Sequence, residues 1–176
     1  MLATPVSAAQ MLNARAAREG WTMRCDDTLA FADARLTDLA QIWEAVRGAK
    51  ELPRRADFTA RALARHLRDI AFLERMPQPG APHCYRFGFY GSGLARYTGD
   101  WTGKFLDEIV PPEQLAAWQL AYDTGLAHGA PLRIDARITA YGLDYMNAES
   151  FVAPLGDANG APCGLLTSVS YTPRVA

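Results

Sequence analysis

The chain has 176 residues, 49% of them hydrophobic and 21% charged. That length accommodates about one domain with a real core and no need of disulfide or metal staples. Eighteen Lys and Arg stand against nineteen Asp and Glu, a formal charge of -1, so no overall field draws the molecule to nucleic acid or to an anionic membrane.

Cys25, Cys84 and Cys163 are odd in number and widely spaced, which fits neither a disulfide framework nor a C-x-x-C metal or redox site. The first twenty residues lack an apolar run of signal-peptide length, and no stretch elsewhere is apolar enough to span a bilayer. A soluble, cytoplasmic protein is expected.

Residues 1–27 are Ala-rich with only a weak helical pattern around Met11 and Leu12, and read as an extension. From Asp33 onward Leu36, Leu39, Trp43 and Val46 recur at three- and four-residue spacings, which predicts an amphipathic helix that Gly48 stops. After Leu52-Pro53, Asp57 or Thr59 caps a second predicted helix with Ala60, Leu63, Ala64 and Leu67 on one face and Arg61, Arg65 and Arg68 on the other. Residues 28–69 are therefore expected to form a helical cap on the domain or part of a dimer face, because their apolar stripes need cover.

Then the period changes. Strands are predicted at 70–75 and 83–90, separated by a Pro- and Gly-rich turn or loop at 76–82, and residues 91–103 are too broken for more than short helical turns. Pro111, Pro112 and Glu113 open a long helix with Leu115, Trp118, Tyr122 and Leu126 on one face, which ends at His128-Gly129. Three further strands follow at 131–140, 145–154 and 162–171, the last two joined by a hairpin turn at 156–160. All five strands are expected to pair antiparallel.

This order of elements resembles a PAS domain, and three stretches sharpen the resemblance. Tyr85-Arg86-Phe87 with Gly91-Ser92-Gly93-Leu94, the turn Thr98-Gly99-Asp100-Trp101-Thr102-Gly103, and Glu149 through Pro154-Leu155 to Gly156-Asp157 are similar to stretches in small stand-alone PAS-type proteins of alphaproteobacteria. The helix carrying Trp43 and the Leu52-Pro53-Arg54 connector fit the same pattern, so the resemblance covers about residues 33–173. It implies an α+β fold, a PAS-like five-stranded antiparallel sheet with short helices and one longer helix on one face, preceded by two amphipathic helices. The PAS-like core would be residues 70–173. It also implies sensing or protein contact through a pocket between sheet and helices, without naming a ligand or cofactor.

The glycines at 88, 91 and 93 lack the Lys-Ser/Thr of a P-loop and the Rossmann spacing, so turn geometry explains them better than nucleotide binding. Ser92 is not in G-x-S-x-G, and the neighbours His83 and Cys84 point to opposite faces of a strand, so neither supplies a catalytic nucleophile. No flavin-type reactive-cysteine motif occurs between Gly91 and Gly103. His128 could face a haem, but stabilising its own helix end is the stronger reading. No histidines and carboxylates stand at metal-ligand spacing, and no metal is expected.

The candidate pocket residues are the aromatics Phe89, Tyr97, Phe105, Trp118 and Tyr122, the aliphatics Ile134 and Ile138, and the polar Arg86, Ser92, Asn147 and Ser168. Phe87, Phe151 and Thr167 are further candidates, and Arg86 has pairing with Glu149 across the sheet as its structural alternative. Residues 50–75 carry seven basic against four acidic side chains, a surplus of +3, which reads as a solvated basic face.

The leading expectation is a non-enzymatic sensory or regulatory module that binds a small molecule or a protein and signals by association, as a homodimer or with a protein partner, without contacting nucleic acid. Two alternatives stay open: a small cone-shaped acid–base enzyme using Asp135 or Asp144 with a tyrosine, and a ligand-free interaction adaptor.

Overall fold

The computed structural model describes residues 6–78 and 80–174. Its centre is a six-stranded antiparallel sheet in the order β1-β4-β5-β6-β2-β3. The strands are β1 (Met23–Asp26), β2 (Ile70–Gln78), β3 (Ala81–Tyr90), β4 (Leu132–Arg137), β5 (Met146–Gly156) and β6 (Pro162–Pro173). Helices α1 (Ala8–Glu19), α3 (Ser92–Thr98), α4 (Leu106–Ile109) and α5 (Pro112–His128) contribute to the core on one side, while α2 (Ala34–Arg47) packs against β5 and β6 within a second core.

The five strands expected from alternation are present, but the sheet has a sixth, contributed by the stretch read as an extension. Ser7 accepts a hydrogen bond from the Gln10 amide while the Gln10 side chain accepts from Ser7 N, a capping box that starts α1, and Gly20 ends it at φ 69°. Ala9 and Leu12 are buried in the main core, and Ala16 is buried as well. The Asn13 side-chain amide then binds both Cys25 N and Cys25 O at 2.7 Å. It satisfies the outward N–H and C=O of Cys25 on edge strand β1, which would otherwise stand open to pairing.

The second predicted helix is replaced by turns. Between single 3-10 turns at Arg55–Asp57 and Leu67–Asp69, backbone hydrogen bonds mix three- and four-residue spans, as in His66 N to Leu63 O and Leu67 N to Leu63 O. Of the expected apolar face only Leu63 is buried; Ala60, Ala64 and Leu67 are exposed. His66, 2.7 Å from Asp38 Oδ2, and Phe58 pin the segment to α2 and to the second core. An apolar period without a surface to cover does not hold a helix in water.

The residues behind the three resembling stretches converge on packing. Trp43 Nε1 donates to Pro154 O at 3.0 Å, and Gly156 N donates to Pro53 O at 2.9 Å, so α2 and the Leu52-Pro53 connector both dock on the end of β5. Gly91 and Gly93 lie where an added Cβ would collide with the Arg68 carbonyl, and at Gly93 with Asp69 as well. They let the start of α3 lie against the preceding turn, which is the turn-geometry role expected of them. In the loop expected at 76–82 the strands instead run on, β2 to Gln78 and β3 from Ala81; Pro79 and the side chain of His83 fall outside the described residues. No described helix is long and apolar enough to cross a membrane.

Candidate ligand-binding cavity

A cavity of about 290 Å³ opens between the sheet and the helices. Small residues form its sheet side: Ala136 on β4 is paired with Ala148 on β5, and Ser150, Thr167 and Val169 continue that wall. Opposite it, α3 supplies Leu94 and Thr98, α4 and its C-terminal residue Leu106 and Val110, and α5 Ala117, Trp118 and Tyr122. Phe87, Tyr90 and Trp101 make an aromatic end, with Tyr90 stacked on Trp101 at 5.0 Å and Phe87 edge-on to both. The mouth is bounded by Gly20–Met23 and by the β4–β5 loop, where Tyr141 donates to Ile109 O and Gln114 to Thr139 Oγ1.

The interior is apolar. Burial pushes the phenols of Tyr90, Tyr122 and Tyr171 up from their ordinary value, so each is neutral at physiological pH. Tyr90 OH and Thr98 Oγ1 satisfy each other at 2.7 Å. Ser150 differs: it is 2% exposed, and its hydroxyl has no hydrogen-bond partner among the described residues. Among the lining residues the side chains charged at neutral pH are Glu113 and Arg137, and both are exposed.

Five of the expected pocket residues, Phe87, Trp118, Tyr122, Ile138 and Thr167, line this cavity, whereas Phe151 is packed in the second core. Ile134 is fully buried in the same core but lies outside the cavity wall, beside Cys25 of β1, where the α1–β1 unit covers the sheet. Phe89 points the other way. A bulge at Gly88 pairs Phe87 with Leu73 and Phe89 with Phe72, so two residues that alternation places on one face end up in different cores. Tyr97, 44% exposed, packs tilted against Tyr171 with ring centroids 4.5 Å apart, from outside the cavity, Ser92 is exposed, and Phe105 precedes α4 against the core. Ser168 donates to Asp69 O at 2.6 Å, and Asn147 lies on an exposed groove elsewhere on the sheet.

Arg86 does not meet Glu149, because β6 and β2 separate their strands; it binds Glu74 at 3.3 Å instead. Glu149 accepts from Arg133 and from the Ala32 and Asp33 amides at the start of α2, and Arg133 also binds Asp26 and Asp135. Asp135 is thus tied up away from the cavity, and Asp144 is exposed in the β4–β5 loop.

Sequence reasoning did not single out Ser150, Tyr90 or Trp101. For Ser150 a signal existed: it alternates with Ala148 and Val152 along β5, a hydroxyl in an otherwise apolar inward row. The aromatic end carried no such signal, since β3 and the turn after α3 meet only in the folded chain.

Residues 32–169 match the PAS domain family. A solved structure described as an RNA-binding Light-Oxygen-Voltage receptor is similar to this chain at 16% identity and a TM-score of 0.40, over 68% of this chain. The match spans 35% of that receptor chain, about a third of its length. No curated protein matches.

Proposed function

The chain belongs to the PAS domain family, and from that premise we propose a non-enzymatic sensory module whose cavity takes a small molecule and whose response passes on by association with a second copy or a protein partner. The observation that carries this reading is the cavity itself, with its aromatic walls and a buried hydroxyl, that of Ser150, left without a partner among the described residues. Cavities of this kind, mostly apolar with a few convergent polar groups, are the usual form of small-molecule sites. The mouth explains how occupancy would be felt at the surface. Gly20–Met23 belongs to the α1–β1 unit, so a ligand touching Trp21 or Met23 pushes on an edge strand and on a helix that packs against α5.

The test is the native mass and absorbance of the purified protein, followed by light scattering with and without the molecule found or added. Extra mass or a chromophore, with a change of oligomeric state or partner binding when it is removed, supports the sensor. A cavity that takes nothing in a thermal-shift screen of small molecules supports the adaptor instead, since any ligand of the native state raises its apparent stability by mass action.

A further inference from the structure

Resting on that reading of the cavity, we propose that its ligand is a small, uncharged, planar aromatic molecule of one or two rings with one hydrogen-bonding substituent directed at Ser150. Size sets the first limit. About 290 Å³ lies just below the roughly 300–1,000 Å³ typical of ligand sites. Shape sets the second: one wall is built from the short side chains of Ala136, Ala148 and Ser150 on adjoining strands, while Trp118 and Tyr122 come from α5 and Trp101 from the aromatic end. A slot with a low floor and aromatic walls is filled by a flat ring, which also gains offset or edge-on contacts with the surrounding rings.

Charge is excluded by what lines the interior. Glu113 and Arg137 are exposed at the surface and no other lining side chain carries a charge at neutral pH, so an ionised ligand would be desolvated without a buried counter-ion. Polarity is required by Ser150. Its hydroxyl, on a side chain almost wholly buried, has both a proton to donate and lone pairs to accept with, and it finds no partner among the described residues. Buried polar groups are normally satisfied, and its strand neighbours Ala148 and Val152 both line the cavity, so the missing partner is expected to come from the ligand. The phenols of Tyr90 and Tyr141 are already engaged, with Thr98 and with the Ile109 carbonyl.

Calorimetric titration of the full chain with four matched probes tests this: 2-naphthol, naphthalene, 2-naphthoate and the saturated decahydro-2-naphthol. The expected result is that 2-naphthol binds at least tenfold tighter than the naphthoate anion and the saturated alcohol. Ser150→Ala should weaken 2-naphthol three- to tenfold and leave naphthalene unchanged, with the melting temperature of the free protein held or raised because an unsatisfied hydroxyl is gone. Ile138→Trp, which fills the cavity, should abolish all binding. Tightest binding by the anion or the saturated alcohol, abolished by Ile138→Trp, overturns the ligand class and leaves the cavity reading standing. Equal weakening of naphthol and naphthalene by Ser150→Ala, or no weakening of either, overturns the role of Ser150. If no probe binds and the purified protein carries no molecule, both the ligand class and the cavity reading fall.

Discussion

At the scale of single residues, alternation along the strand expected at 131–140 treats Ile134 and Ile138 alike, and the structure separates them, ending β4 at Arg137. Ile138 lines the cavity and Ile134 is fully packed. Ile138→Trp is therefore expected to block ligand binding at modest cost in stability, whereas Ile134→Trp overpacks the core and costs about 1–3 kcal/mol without a direct effect on the cavity; urea unfolding with ligand titration separates the two. Asp33 carries a second residue-level consequence. The Arg35 guanidinium, with the Ser170 hydroxyl, holds its carboxyl well below the usual carboxylate range. A lowered folded-state pKa contributes stability that is fully present above the unfolded value of about 3.9 and is lost as pH falls below it towards the folded one. Melting temperature followed from pH 5 to pH 2 should fall less steeply in Asp33→Asn, which keeps a capping side chain for α2; parallel curves would show that the pairing is absent in solution.

At the scale of elements, tertiary contact decided where periodicity was ambiguous. Leu36, Leu39 and Trp43 form a helix because the outer sheet face receives them, whereas the stripe from Ala60 to Leu67 meets nothing beyond Leu63 and breaks into turns. The start of α3 depends on a glycine for a different reason. At Gly91 the nearest atoms to an added Cβ belong to the Arg68 and Leu67 backbone, which has no side-chain freedom to yield. Gly91→Ala should then destabilise the fold by about 1–3 kcal/mol in chemical denaturation. A neutral substitution would mean that α3 can shift without loss, and would reopen other roles for this glycine pair.

For the whole molecule, two cores share one sheet. The main core lies under α1, α3, α4 and α5, and the second lies under α2 and the segment that follows it. Removing residues 1–69 strips α1, β1, α2 and that segment, exposing Ile70, Phe72, Phe151, Leu155 and Leu166 together. An apolar patch of that extent on an open sheet favours association, so the shortened chain is expected to aggregate. A monomeric product with unchanged thermal stability, by size exclusion and calorimetry, would show that the second core is dispensable.

The sequence by itself determined most of the local elements from Ile70 onward and their class. Prolines at 111 and 112 start the long helix, strict alternation marks β4, and glycines end α2 and α5, because each of these rests on backbone preferences within a few residues. It also carried the Ser7–Gln10 capping signal of α1, which the Ala-rich composition of that segment obscured. Only the tertiary structure decided the rest: β1 joining β4 at the sheet edge, the Gly88 bulge sending Phe87 and Phe89 to opposite cores, Arg86 meeting Glu74 instead of Glu149, and Ser150 left facing a cavity. Each of these depends on which strands become neighbours and in what register, and register is set by contacts between residues far apart in the chain.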